Sequence, residues 1–149
     1  MKKVTLILSI LIANISITIA QKSAIFIKNG KALNGYDPVA FFTENKPTLG
    51  NELFTYQWQQ AIWQFSTKEN KDSFVSNPNK YAPKYGGYCA YGAADGSGHK
   101  APTDINTWTV LNNQLYFNYS LKVKEIWLKK QEEFIIKADN NWDGIKNKE

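Results

Sequence analysis

The sequence predicts an α+β fold: a small single domain of short antiparallel β-hairpins with a short central helix and a long C-terminal helix. Three observations carry this. Apolar and polar residues alternate in paired runs, two-residue turns of Asn, Gly or Gln separate the runs, and the C-terminal part changes to helical spacing. At 149 residues the prior favours one domain with a core of useful size.

In chain order, residues 1–20 read as a cleavable signal peptide. Lys2 and Lys3 form the charged start, an apolar run begins at Val4, and Ala20 is the last small residue before the cut. No further apolar stretch of about 18 residues follows, so no membrane span is expected after cleavage. The expected location is secreted or periplasmic. Residues 21–34 form an N-terminal hairpin extension, in which Ile25 and Ile27 alternate with polar neighbours and Asn29-Gly30 makes the turn.

The main domain is expected over 35–144, with 145–149 as a tail. Gly35-Tyr36-Asp37-Pro38 is turn chemistry, and Val39 to Thr43 reads as a short buried strand. Phe54, Tyr56 and Trp58 alternate, Gln59-Gln60 turns, and Ile62 to Phe65 returns as the second strand of a hairpin. Ser66-x-x-Glu69 has the form of a capping box that opens a helix carrying Phe74 and Val75 and ending near Asn77-Pro78. Tyr81 to Tyr91 is aromatic and glycine-rich, and Gly92 to Asp104 reads as a loop. A third hairpin turns at Asn112-Asn113 between Trp108 to Leu111 and Leu115 to Tyr119. Ser120 then caps one last helix, on which Val123, Ile126, Trp127, Phe134 and Ala138 share a face. The second and third hairpins therefore look like two copies of a hairpin-helix unit.

All 18 basic residues are lysines. Removing Lys2 and Lys3 leaves 16 against 13 acids, a net charge of +3, and they are scattered among the acids. Without arginine and without a basic run, no nucleic-acid partner is expected. Cys89 is the only cysteine and His99 the only histidine, so an intrachain disulfide and a four-ligand Cys/His zinc site are both excluded.

Several separated motifs then carry a family resemblance. Gly35-Tyr36-Asp37-Pro38-Val39-Ala40-Phe41-Phe42, Trp63-x-Phe65-Ser66 and Phe74-x-x-Asn77-Pro78-x-x-Tyr81 resemble the YHS domain in order and spacing. Tyr85-Gly86-Gly87-Tyr88-Cys89-Ala90-Tyr91, Leu115 to Tyr119 and Ala138 to Trp142 are similar to its longer exported subgroup. The resemblance implies a compact α+β module and, in metal-handling relatives, heavy-metal binding through cysteines. At the positions of those cysteines this chain has Ala40, Ser66 and Asn70, none of which replaces a thiolate for a soft metal.

The candidate sites follow. Tyr36, Asp37, Tyr85, Tyr88 and Cys89 lie in glycine-rich turns and are expected to wall a ligand pocket. Cys89 with His99 could hold Cu(I) or another transition metal with Asp95 or Asp104, or act as nucleophile and base. If Cys89 begins a helix, its thiolate would be favoured, while the plainer role is a buried apolar residue. Asp139, Asn141 and Asp143 match half of a calcium loop, but the bidentate carboxylate at position 12 is missing, so a helix end with Trp142 folded onto the core is preferred. Trp58, Trp63, Trp108, Trp127 and Trp142 could stack rings, although most are expected in the core. The chain thus reads as a non-enzymatic binding module for a metal ion or small ligand. The alternatives are a module that docks an envelope protein and a Cys89-dependent enzyme.

Overall fold

A computed structural model describes residues 23–148, and the proposed signal peptide lies outside the described residues. The architecture is α+β, with three separate two-stranded antiparallel sheets and a long C-terminal helix. Strands β1 (Ile27–Lys28) and β2 (Lys31–Ala32) form the first hairpin. β3 (Asn51–Trp58) pairs with β4 (Ala61–Phe65), and β5 (Asp104–Leu111) pairs with β6 (Gln114–Asn118). All three expected hairpins are present with the expected turns.

Their turns share one geometry. Asn29 and Gly30, Gln59 and Gln60, and Asn112 and Asn113 all have positive φ, between 47° and 76°, the left-handed pair that matches the twist of the flanking strands. Glutamine is the odd member, since its Cβ is strained there. Gln60→Gly is therefore expected to stabilise the protein by about 0.5–1 kcal/mol, read as a raised urea midpoint. An unchanged or lowered midpoint would speak against strain in this turn.

Helix α1 (Ala40–Thr43) stands where a buried strand was expected. Pro38 and Asp37 explain the difference. Asp37 Oδ1 accepts the N–H groups of Val39 at 2.8 Å and Ala40 at 3.3 Å, which satisfies the free donors of an incipient helix turn. The apolar run is buried all the same, with Phe41 packed against Trp108 and Phe117.

Helix α2 (Lys68–Ser76) is capped by Thr67, whose hydroxyl accepts from Asn70 N–H at 3.1 Å. Ser66, the residue expected to cap it, is drawn to Asp37 instead. Phe74 is buried on this helix, whereas Val75 is exposed. Asn77 ends α2 and caps the single turn α3 (Pro78–Tyr81). Gly92 to Ala94, at the start of the stretch expected as a loop, belong instead to α4 (Ala90–Ala94), and its small side chains let the C-terminal helix pack closely against it.

The single last helix is in fact two, α5 (Leu121–Lys129) and α6 (Gln131–Ile145), broken at Lys130 where φ is −141°. Neither proline nor glycine marks the break. It lets α5 rest on β5 and β6 while α6 turns to rest on α4, so tertiary packing sets it. Ser120 caps α5 as expected, accepting from Val123 N–H at 3.3 Å.

The core has two parts, and β6 joins them. Leu115 and Phe117 point into a first cluster with Leu33, Phe41, Trp63, Phe65 and Phe74. Tyr116, on the opposite face, enters a second cluster with Tyr85, Trp127, Ala138 and Ile145. Each fully buried large apolar side chain contributes roughly 1.5–3 kcal/mol. Among the described residues no helix is long and apolar enough to cross a membrane.

Candidate functional site

Asp37 is fully buried and acts as a junction. While Oδ1 holds the start of α1, Oδ2 accepts from Ser66 N–H at 2.8 Å, Ser66 Oγ at 2.8 Å and Asn70 Nδ2 at 2.7 Å. Ala40, Ser66 and Asn70 thus converge on one carboxylate. Their donors are spent on it. A buried carboxylate satisfied by five donors is a structural knot rather than an open ligand group.

Cys89 does begin a helix: its Sγ accepts from Gly92 N–H at 3.4 Å and from Tyr119 N–H at 3.2 Å. It is also buried, and the thiol points to Asn118 Oδ1 at 3.8 Å. Burial pushes the thiol pKa up, and the N–H groups of Gly92, Tyr119 and Tyr91 only partly offset this. The expected activation at a helix start is therefore outweighed by desolvation. His99 is on the surface, with its N–H donated to Gly92 O.

Tyr85 and Tyr88 are buried rings anchored through their hydroxyls. Tyr85 donates to Asp139 Oδ1 at 3.1 Å and lies near Ile135 O at 3.3 Å, and Tyr88 donates to Ser23 O at 2.8 Å. Burial first, then the neighbouring Asp139 carboxylate, drives the Tyr85 pKa well above that of an ordinary tyrosine. Burial also raises Tyr88, and burial followed by Asp139 raises Tyr116.

These shifts fix the sign of a pH effect. Unfolded cysteine ionises from about pH 8.5 and unfolded tyrosine from about pH 10, while the folded groups keep their protons to higher pH. The native state then binds more protons than the unfolded state, so stability falls as pH rises through that interval. Urea midpoints should drop from pH 8 to 11, less steeply above pH 10 in Tyr85→Phe. In the folded protein at pH 8, Cys89 should react with an aromatic disulfide reagent only as fast as the chain opens. A level midpoint, or immediate labelling, would contradict this.

The expected pocket wall is divided. Tyr85 lines a cleft of about 430 Å³, bounded by Ala24 and Ile25, the β3–β4 turn at Trp58 and Gln59, the segment from Ala82 to Gly86, Gln114, and Trp142 with Lys146 at the end of α6. Tyr36 lines a second cleft of about 300 Å³ with Phe26, Lys28, Thr103 and Asp104. Asp37, Tyr88 and Cys89 line neither of these two clefts and lie in the interior.

Of the five tryptophans expected mostly in the core, Trp58 and Trp142 are half-buried, packed against it and lining the larger cleft, and Trp142 does fold onto the core. Lys84, Asn79, Gln114 and Lys146 were missed there. Lys84 alone had a local signal, as the neighbour of Tyr85. The others come from distant segments. Asp139, Asn141 and Asp143 lie in the continuous helix α6, with Asp139 paired to Lys84 at 2.9 Å and Asn141 Nδ2 donating to Ala93 O at 3.0 Å.

Comparison with known proteins finds no matching family model, no matching curated protein and no matching solved structure.

Proposed function

We propose that this chain is an exported YHS-type module that binds a small organic ligand in the cleft beside Tyr85, without covalent chemistry. One observation carries this proposal: the cleft has an aromatic wall that interior contacts hold in place. Tyr85 is tied to α6 through Asp139, and the Trp142 ring packs against Tyr85 at 5.7 Å and Tyr88 at 6.3 Å between centroids. Trp58, which lines the same cleft, is braced by Trp63 and Phe74. A wall held in place before binding lowers the ordering cost of association. The size falls in the range of small-molecule sites.

A metal ion is the less favoured ligand. The thiol is a buried helix cap, and no group of three or more His, Cys, Asp or Glu is gathered among the described residues. Docking to an envelope protein is the second reading, favoured by Leu121 and Leu128, exposed two turns apart on α5.

Ligand-observed NMR with a library of small ring compounds tests the proposal. Binding should be lost in Trp142→Ala and retained in Tyr36→Ala, since Tyr36 lines the second cleft and not the first. The opposite pattern would move the site, and an absence of hits would favour docking.

A further inference from the structure

We infer that the Tyr85 cleft selects a small organic anion built on a planar ring, such as an aromatic carboxylate. This rests on the small-ligand function proposed above and goes further by naming the ligand class.

Charge is the first argument. Lys84 and Lys146 line the cleft, and no Asp or Glu does so among the described residues. Their carboxylate partners stand outside the lining, with Lys84 Nζ at 2.9 Å from Asp139 and Lys146 Nζ at 2.7 Å from Asp143. Both pairs reach solvent, where such contacts contribute little. A ligand carboxylate can therefore share or take over either ammonium group at small cost. A cationic ligand would find two lysines and no carboxylate in the lining itself.

The end of α6 would ordinarily oppose an anion, because its free carbonyls carry partial negative charge. Lys100 offsets this here, as its Nζ donates to Lys146 O at 3.2 Å.

The walls supply the rest of the selectivity. Trp58, Trp142 and Tyr85 offer ring surfaces for stacking, and the carboxamides of Gln59, Asn79 and Gln114 offer donors for carboxylate oxygens that the lysines leave free. Phosphate is less suited, since the cleft lacks the arginine fork that matches it.

Calorimetric titration of the purified protein with indole-3-acetate, indole-3-acetamide and tryptamine tests this, because the three share a ring and differ in charge. Indole-3-acetate should bind at least about tenfold more tightly than the amide, with tryptamine weakest, as expected for one charge-assisted hydrogen bond. Lys84→Gln should remove most of that preference, bringing acetate and amide to similar affinities, and added salt should weaken only the acetate.

Equal binding of acetate and amide, both lost in Trp142→Ala, would overturn the anion selectivity and leave the cleft assignment standing. If none of the three binds, the ligand class is wrong; if the acetate binds but survives Trp142→Ala, the cleft assignment falls with it.

Discussion

Replacing Asp37 by alanine should lower the unfolding free energy by about 3–5 kcal/mol, because several donors lose their acceptor at once and each one left buried and unsatisfied costs about 1–3 kcal/mol. The side chain accepts from Val39, Ala40, Ser66 twice and Asn70, and it is fully buried. Alanine leaves these donors facing a void that cannot satisfy them all. Because the donors belong to the first turn of α1, the end of β4 and the start of α2, the damage spreads over three elements. Asp37→Asn keeps the shape but swaps one acceptor oxygen for a donor nitrogen, so one group of donors meets another. Its cost should lie between wild type and alanine. Urea unfolding reads both, and a loss below about 1 kcal/mol for alanine would show that the junction is not structural.

Gly86→Ala should cost about 2–4 kcal/mol, adding left-handed strain to steric overlap. Gly86 has φ of +61°, and a Cβ there would lie 1.8 Å from the carbonyl oxygen of Ala24. That oxygen cannot retreat freely, because Phe26 N–H donates to Gly86 O at 2.8 Å and fixes the two segments together. The N-terminal hairpin should loosen and the larger cleft, walled by Ala24, Ile25 and Gly86, should open. Gly96→Ala is the control: φ is +56° but nothing lies within 4 Å, so only strain of about 1 kcal/mol is expected. Equal losses for the two variants would rule out the overlap.

Much of the fold was legible because its signals are local. The three hairpins follow from alternation and two-residue turns, and Ser120 caps a helix because its hydroxyl needs only the next turn of chain. Errors fell where a distant partner decides. Val39 to Thr43 is as apolar as a strand, yet Asp37 holds its amides for a helix, and Asp37 is itself fixed by Ser66 and Asn70, about thirty residues on. The break at Lys130 has no breaker residue and follows from the separate packing of α5 and α6.

The candidate site was legible only in part for the same reason. Tyr85 announced itself by its glycine-rich turn and does line the larger cleft. Tyr36 shares that local character but opens on another cleft, and Asp37, Tyr88 and Cys89 are buried by contacts that sequence spacing does not reveal. Trp58 and Trp142 look like core residues in any local window. Only folding brings a hairpin turn and the end of the last helix to the same cavity.

The indole N–H resonances of the five tryptophans test the central claim most directly, since they separate the cleft from the second part of the core. On titration with indole-3-acetate, the signals of Trp58 and Trp142 should shift and saturate together. That of Trp127, fully buried in the second part of the core, should stay in place, whereas Trp63 Nε1 donates to Trp58 O at 3.1 Å and reports on the same wall. Saturable shifts at Trp108 with Trp58 and Trp142 unmoved would contradict the assignment of the cleft.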